Sequence, residues 1–204
     1  MRLITLLIIR IAILSAVSLR DAVLAALLDG ESSGYDLAKD FDASVANFWM
    51  ATAQQLYREL DRLAEQGLIK ARVVHQERRP NKRMFSLTAA GHDAIQQFTT
   101  KAPKPSVIRD ELMVKVQAAD AGNASAVREF ILERLHWAAA KLQRYERLRT
   151  RMLDGRTEDE YLAQAERIGP YLTLMRGISF EEENIRWAKR ALTMIERRLP
   201  SRRK

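Results

Sequence analysis

Residues 52–69 read TAQQLYRELDRLAEQGLI, which is the pattern of an amphipathic helix that ends at a glycine. Three leucines recur at the three- and four-residue spacing that places side chains on one face of a helix. Thr52 precedes the run as an N-cap and Gly67 follows it as a stop signal, so the sequence predicts a helix over residues 53–66. The leucines expected on its buried face are Leu56, Leu60 and Leu63.

Two further helices are predicted upstream of this stretch. Apolar residues at helical spacing predict a helix over residues 19–28, which ends at Asp29-Gly30. Ser32-Ser33-Gly34 then offers an N-cap for a second helix over residues 35–41. We expect Tyr35 to pack beneath this second helix, because an amphipathic ring is readily buried with its hydroxyl left polar.

A hairpin and another helix are predicted downstream. Residues 68–76 form a short extended run with β-branched side chains, and residues 83–87 form a second short extended run. The segment between them has Pro-Asn turn chemistry and several basic residues. Thr88 caps the helix that follows. The order helix, helix, helix, hairpin, helix predicts a winged helix-turn-helix domain over residues 18–100, within a mainly α protein that has one small β-hairpin.

The outer face of the predicted third helix carries residue types that read DNA. A helix about 10–12 Å in diameter fits a major groove about 12 Å wide, so its outward amide and guanidinium groups can reach base edges. We expect Gln54 and Gln55 to pair with adenine, and Arg58 to reach guanine or phosphate. Thr52 is expected first as an N-cap and second as a phosphate ligand. Tyr57 either donates its hydroxyl to a phosphate or packs against the hairpin.

Charge is segregated along the predicted DNA-binding domain. The whole chain has a formal net charge of +8. Residues 18–51 hold two basic and six acidic side chains, whereas residues 52–90 hold eight basic and four acidic ones. This asymmetry is typical of a protein that docks on DNA with one surface. At the hairpin, the side chains expected to contact the phosphate backbone are Arg78, Arg79, Asn81, Lys82 and Arg83.

These segments together resemble the PadR-like family of transcriptional regulators. That family has Gly-Tyr opening the second helix, as Gly34-Tyr35 does here, and Leu-Tyr, Leu-x-x-Leu and Gly-Leu-Ile in and after the third, as residues 56–69 do. After the wing it has an aromatic residue, Leu-Thr and Gly, matched by Phe85, Leu87-Thr88 and Gly91. Phe85 lacks the hydroxyl of the family's usual Tyr, and this wing has Arg-Arg-Pro-Asn where many members are Gly-rich. The resemblance implies sequence-specific DNA binding, a helical C-terminal dimerisation domain as in one subgroup, and a small-molecule effector, aromatic or cationic.

Residues 101–204 predict an all-helical domain after a Pro-bearing hinge at residues 101–105. A break at Gly177-Ile178-Ser179 is expected to divide the end of this domain, which would place the acidic cluster Glu181-Glu182-Glu183 at a helix N-terminus. A capping box at Thr157 marks the start of one helix, and Gly169-Pro170 is expected to kink or divide it. The predicted helical stretches are residues 107–119, 124–153, the segment from 158, and 180–199.

Long apolar stripes on these few helices predict a dimer. A single copy leaves such stripes broadly uncovered, and a two-fold pair is the commonest closed assembly that buries them. A two-fold dimer would present two reading helices about 34 Å apart or a multiple of it, and would prefer an inverted repeat. The residues expected at the interface are Leu135, Trp137, Leu142, Ile185, Leu192 and Ile195.

Residues 1–17 form an apolar N-terminal extension, MRLITLLIIRIAILSAV. Its charged start, apolar run and small residues resemble a secretory signal. Arg10 interrupts the run, which leaves no stretch of about 18 apolar residues to cross a bilayer. The alternatives are a helix or strand packed on the body of the protein, or a start codon assigned too far upstream.

Residues that would carry catalysis are not arranged for it. The chain has no Cys, and its three His residues fall on different predicted elements without metal-ligand spacing. Phosphate-binding and nucleophile motifs are also missing, so we expect no enzyme, no metal and no cofactor. The first hypothesis is a cytoplasmic, dimeric, sequence-specific regulator of transcription that binds double-stranded DNA, a repressor released by a small molecule. The alternative is a helical interaction protein, or a membrane-associated one, whose winged helix contacts something other than DNA.

Overall fold

The computed structural model describes residues 19–41, 51–75, 81–103, 105 and 108–197. The predictions made for residues 1–17, Arg78 and Arg79 therefore lie outside the described part of the chain. Two compact units make up the chain, Met1–Lys104 and Pro105–Lys204.

The first unit has the predicted order of elements. Its helices and strands are α1 (Leu19–Ala26), β1 (Ser32–Ser33), α2 (Gly34–Phe41), α3 (Ala53–Glu65), β2 (Ile69–Val74), β3 (Lys82–Leu87) and α4 (Ala89–Thr99). Strands β2 and β3 pair antiparallel, with Ile69 opposite Leu87 and Val74 opposite Lys82, which confirms the predicted hairpin. We call β2, β3 and the residues between them the wing.

A third strand joins the wing, which the sequence does not predict. Ser32 and Ser33 pair antiparallel with Phe85 and Met84, so the sheet order is β1-β3-β2. Two residues are too few to show the alternating pattern that identifies a strand. The pairing matters for the site because it fixes the start of α2 beside the wing.

The core of the first unit lies under α3. Leu56, Leu60 and Leu63 are at most 2% exposed, as predicted, and they pack with buried residues of α1 and with Ile69 and Phe85. Burying one such side chain contributes about 1.5–3 kcal/mol, so this face anchors α3 and leaves its other face to solvent.

The start of α4 is clamped against the chain that leaves α3. Thr88 caps α4 as predicted, accepting the Gly91 amide on its hydroxyl oxygen at 3.1 Å. The same hydroxyl lies 2.7 Å from the Gly67 carbonyl and 3.0 Å from the Leu68 carbonyl. Gly91 is needed here because a Cβ at this position would overlap the Leu68 carbonyl oxygen.

The second unit is helical. Its elements are α5 (Glu111–Gln117), α6 (Ala124–Leu153), α7 (Glu158–Gln164) and α8 (Gly169–Glu196). The bounds of α6 and the Thr157–Glu160 capping box at the start of α7 are confirmed. Helices α6 and α8 pack antiparallel, because Ile131 near the start of α6 meets Leu192 near the end of α8, and Tyr145 meets Leu174.

Two helix predictions for this unit are wrong. The expected break at Gly177-Ile178-Ser179 does not occur, because α8 runs through Gly169–Glu196 with Gly177 and Ile178 buried. A helical Gly costs only about 1 kcal/mol relative to Ala, which buried packing readily offsets. The predicted 107–119 helix begins instead at Glu111, after an N-cap in which the Asp110 carboxylate accepts the Leu112 amide at 3.0 Å.

The acidic cluster therefore lies in the middle of α8 and not at a helix N-terminus. Glu181 is 5% exposed, and its carboxylate lies 3.5 Å from the Lys141 ammonium and accepts the Asn184 amide at 3.0 Å. Glu183 pairs with Arg186 one turn later. Throughout the described ranges, no helix combines the length and the apolar character that crossing a membrane requires.

Candidate nucleic-acid interface

Helix α3 begins with a complete capping box. The Thr52 hydroxyl oxygen accepts the Gln55 backbone amide at 3.2 Å, and the Gln55 side-chain oxygen accepts the Thr52 backbone amide at 2.8 Å. The predicted cap is confirmed, and the structure adds the second half of the box. The Gln55 side chain is therefore folded back over the helix N-terminus, where two otherwise unsatisfied amides gain partners.

The outer face of α3 is polar and exposed. Gln54, Gln55 and Arg58 all lie on it, opposite the three buried leucines, as the sequence predicts. Asp61 and Arg62 continue the same face one turn later. This face presents amide, guanidinium and carboxylate groups, which are the donors and acceptors that contact base edges and phosphates.

Tyr57 lies between α3 and the start of α2. Its ring packs against Gly34 so closely that a Cβ at position 34 would overlap the ring, while 44% of the tyrosine remains exposed. Gly34 thus allows a close approach of the ring, and a larger residue here would require the Tyr57 ring to shift. Tyr35 is 69% exposed, so the expectation that it packs beneath α2 is wrong. The short strand β1 turns the chain so that Leu37 enters the core in its place.

The base of the wing is tied to α2 by an ion pair. The Lys82 ammonium lies 2.6 Å from one oxygen of Asp36, and the Ser33 hydroxyl donates to the same oxygen at 2.7 Å. These two donors, with Lys82 contributing more, hold the pKa of Asp36 below its ordinary value. The Ser33 oxygen also accepts the Asp36 backbone amide at 3.1 Å, which caps α2.

A second ion pair ties the wing to α3. The Arg83 guanidinium donates to Asp61 at 2.8 Å, and it also lies over the Phe85 ring at 5.1 Å from the centroid. Both members of the pair are about half exposed, 51% for Arg83 and 55% for Asp61. Lys82 and Arg83 therefore have acidic partners on α2 and α3.

A cleft of about 270 Å³ opens between α2, α3 and the wing. It brings together four of the residues that the sequence predicts to bind DNA, namely Tyr57, Asn81, Lys82 and Arg83. Its other lining residues are Ser33, Gly34, Tyr35, Asp61 and Phe85. Residues of α2, α3 and the wing thus converge on one surface.

A third ion pair lies on strand β2. The Arg72 guanidinium donates to both oxygens of Glu31, at 2.9 and 2.5 Å. This contact lowers the pKa of Glu31 and raises that of Arg72. The Arg72 charge is therefore matched by a carboxylate of its own unit.

Sequence patterns do not single out Asp36 and Asp61 as members of this surface. Asp36 follows Ser33 by three residues, which is a recognisable capping pattern, but its partner Lys82 is 46 positions away. Asp61 and Arg83 are 22 positions apart. Neither ion pair has a local sequence signal, because both depend on the position of the folded hairpin relative to α2 and α3.

The residues expected at a dimer interface lie in several environments of the second unit. Leu135, Leu192 and Ile195 belong to one apolar cluster within the chain, and Leu142 belongs to another. Ile185 is half-buried. Trp137 is 68% exposed on α6. Packing within one chain accounts for most of this stripe, so the interface stays a prediction.

Comparison with known proteins gives matches along both units. A sequence-family model described as the transcriptional regulator PadR-like family matches residues 23–97, and one described as virulence activator alpha C-term matches residues 108–196. The negative transcriptional regulator PadR of Bacillus subtilis is 27% identical over 184 residues, covering 88% of this chain and 98% of that protein. A probable transcriptional regulator of Mycobacterium tuberculosis is 30% identical over 182 residues, covering 83% and 93%.

Solved structures of Bacillus subtilis PadR are also similar to this chain. Its crystal structure in complex with operator DNA has a TM-score of 0.68 and 26% identity, covering 87% of this chain and 98% of that one. Its crystal structure in complex with p-coumaric acid has a TM-score of 0.63 and 26% identity, covering 87% and 95%.

Proposed function

This chain belongs to the PadR-like family of transcriptional regulators, and from that premise we propose that it binds operator DNA through α3 and the wing. The observation that carries the proposal is the composition of one surface. The exposed polar face of α3, the Tyr57 hydroxyl and the basic base of the wing adjoin the same cleft. The operator complex of the Bacillus subtilis relative supports this use of the fold.

Each side chain on the surface is assigned a part. Gln54 and Arg58 read base edges, since both are exposed on the face of α3 that can enter a major groove. Thr52 and the first turn of α3 face a phosphate, because helix N-terminal amides and their partial positive charge favour an anion. The Tyr57 hydroxyl donates a hydrogen bond to a phosphate of the DNA backbone. Gln55 must leave the capping box to read a base, so its contact costs part of the helix cap.

The wing supplies contacts that do not depend on sequence. Asn81, Lys82 and Arg83 line the cleft beside α3, and Arg78 and Arg79 belong to the segment that joins the two strands. Cations that meet phosphates release counterions, so their contribution falls as salt rises. We assign affinity to the wing and sequence preference to α3.

The second unit is proposed to pair two copies of the chain. Exposed large apolar side chains recur on the two long helices, and a second copy packed against them would remove this surface from water. On α8 they are separated by eight and fourteen residues, close to whole numbers of helical turns, which keeps them on one side of the helix. These residues are Phe130 and Trp137 on α6 and Leu172, Phe180 and Met194 on α8. A two-fold pair would place two α3 helices on an inverted repeat.

The direction of regulation and the effector are proposed from the relatives. The Bacillus subtilis protein is a negative transcriptional regulator and has been crystallised with p-coumaric acid. These facts support a repressor that releases its operator when it binds a small aromatic acid. Such a protein works where the chromosome is, which in a bacterium is the cytoplasm.

The direct test is binding to DNA from upstream of the chain's own gene. Fluorescence anisotropy with that duplex and with a scrambled duplex, over a series of KCl concentrations, separates specific from nonspecific binding. A regulator binds its operator in the nanomolar range at moderate salt and at least about a thousandfold more tightly than the scrambled duplex. Gln54→Ala should reduce the preference, whereas Gln97→Ala, an exposed amide on α4, is the matched control. Equal, weak binding to both duplexes by the wild type would refute the proposal.

A further inference from the structure

Two acidic side chains hold the cations at the base of the wing. The Asp36 carboxylate lies 2.6 Å from the Lys82 ammonium, and the Asp61 carboxylate lies 2.8 Å from the Arg83 guanidinium. Asp36 belongs to the first turn of α2 and Asp61 to the outer face of α3. Each pair therefore joins a helix to strand β3, and in the chain on its own both cations already have carboxylate partners.

We propose that Asp36 and Asp61 compete with DNA phosphates for Lys82 and Arg83, and that they thereby weaken binding to duplex DNA of any sequence. The inference rests on the DNA-binding function proposed above. Its physical basis is that carboxylate and phosphate oxygens are both anionic acceptors for ammonium and guanidinium groups. Lys82 or Arg83 must therefore break its ion pair with the carboxylate to bind a phosphate fully.

The exposure of the four side chains makes the exchange possible. Their exposed fractions are 36% for Lys82, 41% for Asp36, 51% for Arg83 and 55% for Asp61. A phosphate can therefore approach each cation without displacing the core. Ion pairs this exposed are weak, so phosphates can outcompete them, but each exchange still subtracts from the net binding.

The two acids differ in what they keep once the cation leaves. Asp36 retains the Ser33 hydroxyl, which donates to it at 2.7 Å, and the Ser33 side chain also holds the Asp36 amide. Asp61 has no second hydrogen bond recorded within the described part of the chain, and it shares the face of α3 that carries Arg58. Its uncompensated charge would face the duplex, so Asp61 should oppose binding more strongly than Asp36.

The experiment is a double-mutant cycle on the full-length chain. Dissociation constants for the operator and for a scrambled duplex are measured over a KCl series for the wild type, Asp61→Asn, Arg83→Gln and the double variant. Asp61→Asn should tighten binding to both duplexes by about two- to fivefold. In the wild type, the carboxylate displaced by a phosphate takes up a cation from solution, which reduces the net number of ions released on binding. Asp61→Asn removes this uptake, so the slope of log K against log salt should steepen by up to about one. In the Arg83→Gln background the same substitution should change little.

A second cycle and a charge control complete the test. Asp36→Asn with Lys82→Gln should behave in the same way with a smaller effect. Glu65→Gln removes a charge from the same helix one turn later, at a residue for which the described part of the chain shows no ion pair, and it should tighten binding less than Asp61→Asn.

Three results would overturn the inference. Weaker binding by Asp61→Asn would mean that Asp61 orients Arg83 for DNA, and equal tightening with and without Arg83 would mean a general charge effect. If the wild type binds its operator and Asp61→Asn binds with the same affinity, the proposed competition is refuted and the proposed function is not. A wild type that binds neither duplex would instead refute the proposed function.

Discussion

Gln55 closes the capping box of α3 and is also proposed to contact a base, and one pair of substitutions separates these two roles. Its side-chain oxygen accepts the Thr52 backbone amide at 2.8 Å and so closes the capping box of α3. The same side chain lies on the face that we propose enters the groove. Gln55→Glu keeps an acceptor for the Thr52 amide and adds a negative charge at a helix N-terminus, whereas Gln55→Ala removes the acceptor.

The two variants should rank in opposite order for stability and for DNA binding. Loss of the capping hydrogen bond in Gln55→Ala should lower the free energy of unfolding by about 0.5–1 kcal/mol, because the bond is exposed. Gln55→Glu should keep or raise the stability by about 0.3–1 kcal/mol. Loss of an adenine contact costs about 1–3 kcal/mol of operator binding. Gln55→Glu also places a carboxylate near phosphates, so the most stable variant should bind worst.

Urea unfolding followed by circular dichroism measures the first quantity, and anisotropy with the labelled operator measures the second. Gln54→Ala is the matched control, because its side chain is exposed on the same turn without a capping role, and it should lose binding but not stability. Wild-type affinity in Gln55→Glu would refute the reasoning. It would show that the side chain stays in the cap when DNA is bound and never meets a base.

Three further predictions concern packing, charge and assembly. Helix propensity alone would make Gly91→Ala stabilising by about 1 kcal/mol. Overlap of the new Cβ with the Leu68 carbonyl should instead lower the free energy of unfolding in urea by about 1–3 kcal/mol. A more stable variant would contradict the close approach. The Arg134 guanidinium, at 2.9 and 3.0 Å, holds the pKa of Asp110 below its ordinary value. Since the folded pKa is depressed, that stabilisation is present above about pH 4, the ordinary aspartate value, and is lost as pH falls through the folded value. The wild type should therefore be more stable than Asp110→Asn by about 1 kcal/mol at pH 7, and the difference should shrink as the pH falls below about 4. Trp137→Glu should shift sedimentation toward monomer without unfolding the chain, whereas Gln143→Glu on the same helix should not; an unchanged dimer would remove Trp137 from the interface.

Local patterns predict the parts of the fold that local forces decide. The leucine spacing, the Thr52 cap and the Pro-Asn turn correctly predict α3 and the hairpin, because each signal acts within a few residues. The same holds for α6, whose bounds follow from Asn123 and Asp154 on either side. The second half of the capping box can also be predicted from the sequence, because Gln55 follows Thr52 by three residues.

Features that depend on tertiary packing could not be predicted in this way. Gly177 looks like a helix stop in sequence, yet burial against the rest of its unit keeps α8 continuous. Tyr35 looks like a packing residue, but the pairing of β1 with β3 turns it outward. The ion pairs of Asp36 and Asp61 join residues that only the folded hairpin brings together.

Whether the outer face of α3 selects the DNA sequence can be measured without knowing the operator. Selection from a randomised duplex library with the wild type, and separately with Arg58→Ala, compares the preferred sites base by base. We expect the wild type to enrich an inverted repeat. Arg58→Ala should lose preference at one position in each half-site, where a bidentate contact contributes about 1–3 kcal/mol. Identical enriched sites for the two proteins, or no enriched site for the wild type, would contradict this expectation.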